Sequence, residues 1–290
     1  MYSILNEPKF LQRLINYDFL PHIITSFQDF DNIYLVTNFF EGKSVKYYKD
    51  SIMNEEQIKF ISACVIQSLI YLRKEKIIHR DIVMKNIIMG KDKYFNIIDF
   101  SCSINYDDKN DPNKNIILDK IESPPEILNN LGYDYNSDYY RLGCIIYYLL
   151  FKRRPLVIKT KKNISRIIIG SKYTKNIYSF YCIDFLKKLI VYDYKKRIGF
   201  RSITELINHP WFSGFNWKNL EQKKLKSPFE FELETIIFNC NNFKFIYYFF
   251  SFERKMLYKN ISNSDEFIKL IQTYNYINKK ILIKNYIHYF

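Results

Sequence analysis

The sequence predicts an α+β chain in which a small strand-bearing part precedes a larger, mainly helical part. Asn32 to Val36 (NIYLV) is an apolar run rich in β-formers behind the turn-like Gln28-Asp29-Phe30-Asp31. From Asn54 onward, Ile58, Ile61, Val65, Leu69 and Leu72 recur on one helical face. Ile87-Ile88-Met89 and Tyr94 to Ile98 then flank Gly90-Lys91-Asp92-Lys93, which has the composition of a hairpin turn.

Each further element has its own local reason. Asn54 with Gln57 three residues later is a helix-start signal, so a helix of about five turns follows it. The stretch Ser103 to Glu122 is polar and turn-rich, whereas Asp138 to Leu150 and Ile183 to Val191 are again helix-like. Ser202 and Glu205 form a capping-box pattern ahead of Leu206 and Ile207. Beyond about Glu230 aromatic residues crowd the chain and no clean periodicity holds.

Composition bounds the function. The 290 residues, 48% hydrophobic with only 7 Gly and 8 Pro, can bury a sizeable core and exclude a disordered or collagen-like chain. A net charge of +14 admits anionic partners, but the lysines are scattered (Lys59, Lys74, Lys109, Lys187, Lys224), so no specific nucleic-acid surface is expected. Five cysteines, odd in number and without a C-x-x-C pair, argue against a disulfide framework or zinc site and for a reducing compartment. No leader-like N-terminus and no apolar run of membrane-spanning length are present. A soluble cytoplasmic protein with no membrane span is expected.

The segment that carries chemistry is His79-Arg80-Asp81-Ile82-Val83-Met84-Lys85-Asn86, followed beyond the hairpin by Asp99-Phe100-Ser101. It resembles the catalytic loop (H-R-D-x-x-x-x-N) and metal-binding loop (D-F-G) of protein kinases. Phosphoryl transfer needs a carboxylate to orient the attacking hydroxyl and oxygen ligands to hold Mg²⁺ against nucleotide phosphates. The resemblance implies ATP and Mg²⁺ as cofactors and Asp81 as the catalytic carboxylate. It also implies Asn86 and Asp99 as metal ligands, and Thr37, Asn38, Phe39, Phe40 and Ile88 around the nucleotide. The partner it implies is a protein substrate or a bound protein.

More of the pattern follows in order. Ser123-Pro124-Pro125-Glu126 resembles A-P-E, Asp138-Tyr139-Tyr140-Arg141-Leu142-Gly143 resembles D-x-W-x-x-G, and Arg197 stands where the family pairs an Arg with the A-P-E glutamate. His79, Phe100, Leu11 and Ile23 correspond to an apolar column anchored near Asp138. Ile61 to Val65, His209 to Trp217 and Ser227-Pro228-Phe229 resemble the cyclic-nucleotide-dependent (cGMP-dependent) kinases of the AGC group. No cyclic-nucleotide-binding domain is expected in this chain.

The departures are equally specific. Asn6 to Leu11 resembles the helix whose glutamate, here Glu7, pairs with a strand lysine, and the sequence contains no G-x-G-x-x-G. The family's catalytic-loop lysine is Val83, the D-F-G glycine is Ser101, and Leu118-Asp119 replaces the Gly-Thr of the substrate loop. The activation segment contains no Thr to give Arg80 a phosphorylated partner, and Ser44 and Tyr148 occupy positions that are acidic in arginine-directed kinases.

The expected fold is therefore a two-lobed kinase-like one: a partial N-lobe over 1–42 with a hinge at its end, a C-lobe over 43–229, and an aromatic tail over 230–290. The small sheet is expected to have an exposed edge. Tyr247 to Phe252 loosely resembles the hydrophobic motif of AGC tails. Two functions fit: a serine/threonine kinase-like domain, weak or inactive alone, and a pseudokinase scaffold or allosteric binding module.

Overall fold

Helix α2 (Glu55–Lys74) organises the larger part of the molecule in this computed structural model, which describes residues 2–28, 33–108, 122–155, 178–229 and 246–250. Its start is fixed by a full capping box. Asn54 Oδ1 accepts from the Gln57 N–H at 2.9 Å, and Gln57 Oε1 accepts from the Asn54 N–H at 3.1 Å. Glu55 and Glu56 in the first turn and Arg73 and Lys74 in the last complement the helix dipole. Ile58, Ile61, Val65, Leu69 and Leu72 are buried, and the helix packs against α4 (Tyr135–Phe151) and strand β5 (Phe95–Ile97).

Ahead of it, α1 (Tyr2–Arg13) leads into β1 (Ile23–Gln28) and β2 (Ile33–Thr37), which pair antiparallel with Phe27 opposite Tyr34. The expectation of an open edge on this sheet is corrected at β2. The tail strand β7 (Ile246–Phe250) pairs antiparallel with β2, placing Phe250 opposite Ile33 and Ile246 opposite Thr37. A row of backbone donors and acceptors on β2 thus finds its partners in the chain's own aromatic run. The rest of the tail lies outside the described residues.

After the hinge stretch, β3 (Ile77–Ile78) pairs with β6 (Ile104–Asn105), and β4 (Ile87–Met89) pairs with β5 across the expected hairpin. Lys93 closes that turn with a positive φ of 62°, and its N–H bonds to Gly90 O at 2.9 Å. Short helix α3 (Pro125–Leu128) precedes α4, which starts three residues before Asp138 because Asp134 and Ser137 form its capping box. Helix α5 (Phe180–Leu189) likewise starts earlier than periodicity suggested, capped by Ser179.

The capping box expected from Ser202 and Glu205 does not form. Ser202 Oγ accepts from the Thr204 N–H at 3.2 Å ahead of α6 (Thr204–Ile207), but Glu205 Oε2 accepts from the Gly199 N–H at 2.8 Å. The neighbouring loop offers that carboxylate a competing backbone donor. Around α7 (Trp217–Glu221) the aromatic corner is dense: Phe185, Trp211, Phe212 and Trp217 rings lie 5.0–5.3 Å apart in successive contacts. Phe229 meets Phe95 edge-on at 5.1 Å, which ties the 227–229 segment to the hairpin.

Among the described residues Cys64, Cys102, Cys144 and Cys182 form no disulfide. Among the described residues no helix is long and apolar enough to cross a membrane.

Candidate active site

The loop from His79 to Asn86 is anchored from below by one buried carboxylate. Asp138, in the first turn of α4, accepts the N–H of His79 at 2.8 Å and of Arg80 at 2.9 Å. Arg80 needs this support because its φ is +67°, a left-handed conformation disfavoured for a side chain of its size. Burial raises the Asp138 pKa, and the adjoining His79 and the two N–H groups oppose the shift.

His79 is fully buried and held by geometry in its neutral form. Its Nδ1 accepts from the Asp81 N–H at 3.3 Å, so the proton sits on Nε2, which donates to Ile98 O at 3.2 Å. Burial depresses its pKa in the same sense. The ring meets Phe100 edge-on at 4.8 Å, and Leu11 and Ile23 are buried in the same core.

Asp81 faces two different environments. Its Oδ2 accepts from Asn86 Nδ2 at 2.9 Å, and Lys85 Nζ lies 3.4 Å from the same oxygen. Its Oδ1 lies 4.0 Å from Arg141 Nη1. Neither cation was singled out in the sequence, where Val83 read as the loss of positive charge. Lys85 had a signal in its i,i+4 spacing from Asp81, and Arg141 in being the one charge in the run 139–150.

Asp99 also takes a left-handed backbone, φ +68°. Ser101 caps its Oδ1 from both hydroxyl, at 2.6 Å, and backbone N–H, at 3.3 Å. The neighbouring N–H, of Phe100, donates to Glu7 Oε1 at 3.0 Å, so the glutamate of α1 reaches the Asp99-Phe100-Ser101 segment directly. Burial raises the Glu7 pKa to about 8, the Asp99 charge adds to the rise, and the Phe100 N–H opposes it.

The donor set suits Mg²⁺. Asn86 uses its Nδ2 on Asp81 and leaves its amide oxygen, while Asp99 has no hydrogen bond to Oδ2 among the described residues. Two hard oxygens of this kind, completed by phosphate and water, are what Mg²⁺ accepts.

The remaining expected residues each have local settings of their own. Thr37 ends β2 with a buried side chain, and Asn38 Oδ1 accepts the His22 N–H at 2.8 Å, bracing the hinge. Phe39 and Phe40 are half-buried in the hinge, and Ile88 sits on β4 opposite Ser44 in an isolated bridge. Arg80 is engaged internally: Nε donates to Cys102 O at 2.6 Å and the guanidinium lies 4.8 Å from the Tyr133 ring centroid. Glu126 and Arg197 form a buried ion pair. Tyr148 is half-buried on α4, and Leu118-Asp119 lies outside the described residues.

Comparison with known proteins extends this geometry. A profile of the protein kinase domain matches residues 2–212. The chain is 27% identical over 230 residues to serine/threonine-protein kinase Sgk1 of Danio rerio, covering 78% of this chain and 53% of that protein. It is 25% identical over 223 residues to serine/threonine-protein kinase AtPK1/AtPK6 of Arabidopsis thaliana, covering 76% and 48% respectively. It is 26% identical over 238 residues to protein kinase 3 of Dictyostelium discoideum, covering 78% and 26%. The chain thus spans about half or less of the length of these curated relatives.

Proposed function

The chain belongs to the protein kinase domain family, and from that premise we propose a serine/threonine-type kinase module that binds Mg²⁺-ATP weakly and transfers phosphate slowly or not at all by itself. The observation that carries this reading is Asp81: its loop is anchored on Asp138 and its Oδ2 is held by Asn86.

In that reading Asp81 accepts the proton of a Ser or Thr hydroxyl on a protein. The hydroxyl oxygen forms the new bond to the γ-phosphorus, the bond from phosphorus to the ADP oxygen breaks, and ADP carries away its electron pair. Mg²⁺ held by Asn86 and Asp99 would neutralise charge on the phosphates. Weakness follows from what this sequence lacks. It has no G-x-G-x-x-G, and among the described residues no Lys or Arg pairs with Glu7, so nothing seen here cradles the phosphates.

A pseudokinase scaffold is the second reading, and Ser101 favours it. Its hydroxyl and N–H both donate to Asp99 Oδ1, which leaves a metal only Oδ2 without a hydrogen bond among the described residues. The likeness of His209 to Trp217 to cyclic-nucleotide-dependent AGC kinases supports that subgroup.

The test is phosphate transfer by the purified 290-residue chain beside Asp81→Asn. Turnover is expected far below the ordinary ~1–100 s⁻¹ of kinases. Ordinary turnover that vanishes in the variant would overturn the claim of weakness, and activity persisting in the variant would identify a contaminating kinase.

A further inference from the structure

We infer that Arg141 is a positioning residue for Asp81, a cation delivered from helix α4 to a catalytic loop that offers Val83 where kinases carry a lysine. Arg141 is 1% exposed, and its Nε, Nη1 and Nη2 are buried with no hydrogen-bond partner among the described residues. Its ionic neighbour is Asp81 Oδ1, at 4.0 Å.

A guanidinium carries five N–H donors in a fixed fork, and burying them unpaired is costly. Packing alone gives no reason for it. Tyr139, Tyr140, Leu142 and Cys144 around it are all buried, and an apolar side chain of similar volume is often neutral or stabilising in such a place. What the charge does supply is a field. It acts on Asp138, whose two oxygens are already satisfied by the His79 and Arg80 N–H groups, and on Asp81.

The two oxygens of Asp81 then divide their work. Oδ2 is fixed by Asn86 and Lys85, whereas Oδ1 accepts no hydrogen bond among the described residues and sees only the cation 4.0 Å away. That distance is beyond hydrogen-bond reach, so the lone pairs of Oδ1 stay open for a substrate hydroxyl while Coulomb attraction orients the carboxylate. The same charge offsets the repulsion between Asp81 and the incoming γ-phosphate. Lys85 is half exposed and screened by solvent; Arg141 is not.

The inference rests on the nucleotide-site reading, so its test has one arm that does not depend on nucleotide. The first arm is a thermal-unfolding cycle on the full chain with Asp81→Asn, Arg141→Met and the double variant, and Arg141→Lys as the charge-conserving variant. Asp81→Asn is expected to lower Tm by at least about 2–4 °C in the Arg141 chain. In the Arg141→Met chain it is expected to leave Tm unchanged or raise it. Equal shifts in both backgrounds would overturn the pairing.

The second arm is Mg²⁺-dependent binding of ADP and of a non-hydrolysable ATP analogue. Arg141→Met is expected to weaken the analogue about three- to tenfold relative to ADP, and Val83→Lys in that background is expected to restore the ratio. A merely structural arginine would shift both nucleotides alike, which would overturn the positioning role. If neither nucleotide binds the unaltered chain, the nucleotide-site reading fails instead, and the unfolding cycle still decides the pair.

Discussion

Arg197 grips both carboxylate oxygens of Glu126, with Nη2 2.9 Å from Oε2, and neither side chain is more than 2% exposed. The guanidinium also donates to Asn136 O at 2.7 Å and Val191 O at 3.0 Å, and it lies over the Tyr140 ring. One pair thus joins α3, the start of α4 and the segment after α5. Arg197→Ala is expected to destabilise the chain by about 3–5 kcal/mol, because Glu126 is left as an uncompensated buried charge. Glu126→Leu combined with Arg197→Met is expected to lose clearly less than the sum of the single changes. Urea unfolding of Arg197→Ala and of the Glu126→Leu, Arg197→Met and combined variants measures both, and additivity would show that the charges do not act as a pair.

Gly143 explains why one position of α4 tolerates no side chain. A Cβ there would stand 2.8 Å from Ile190 Cγ1 and 2.9 Å from Leu189 Cβ, so α4 and the end of α5 touch through the missing methyl. Gly143→Ala gains helix propensity but overpacks this contact, with an expected net loss of about 1–3 kcal/mol. An unchanged urea midpoint would mean that the two helices separate freely.

These cases show what sequence could and could not reveal. The 54–74 helix was legible because its cap and its apolar face agree, and His79 to Asn86 with Asp99 because spacing and residue type agree. The starts of α4 and α5 were missed since Asp134 and Ser179 cap through short polar side chains that precede the apolar periodicity. Glu205 was misread because its bond goes to Gly199, upstream of its own helix. Pairing of 246–250 with β2 joins segments more than 200 residues apart, and no local pattern encodes such a contact. Arg141 stands out as the one charge in the run 139–150, but its neighbour Asp81 is 60 positions away in the chain and only the packing of α4 under the loop brings the two together.

Glu7 predicts a pH dependence of stability. Its pKa is raised from the ordinary 4.5 to about 8, so the folded chain holds a proton there that the unfolded chain releases from about pH 4.5 upward. A raised folded-state pKa means stabilisation that is fully present below the unfolded value and lost as pH rises through the folded one. In metal-free buffer the chain is therefore expected to lose on the order of a few kcal/mol from Glu7 between about pH 5 and 8. Glu7→Gln keeps an acceptor for the Phe100 N–H and removes the titration, so its stability should be flatter across this window. Parallel pH profiles for the two chains would rule out a raised Glu7.

Ser101 gives the last prediction, because it sits in direct competition with a metal. Its hydroxyl donates to Asp99 Oδ1 at 2.6 Å and its N–H to the same oxygen at 3.3 Å. Removing the hydroxyl in Ser101→Ala deletes one hydrogen bond to a charged acceptor, worth about 1.5–3 kcal/mol, part of which water would replace. Mg²⁺-dependent nucleotide affinity is expected to rise about three- to tenfold in this variant, with no rise when Mg²⁺ is omitted. Ser101→Gly removes the same hydroxyl and also frees the backbone. Equal gains in the two variants would assign the deficit to the hydroxyl, whereas a gain in Ser101→Gly alone would assign it to the backbone. An unchanged affinity in both, measured by calorimetric titration, would mean that Asp99 Oδ1 is not a metal ligand in this chain.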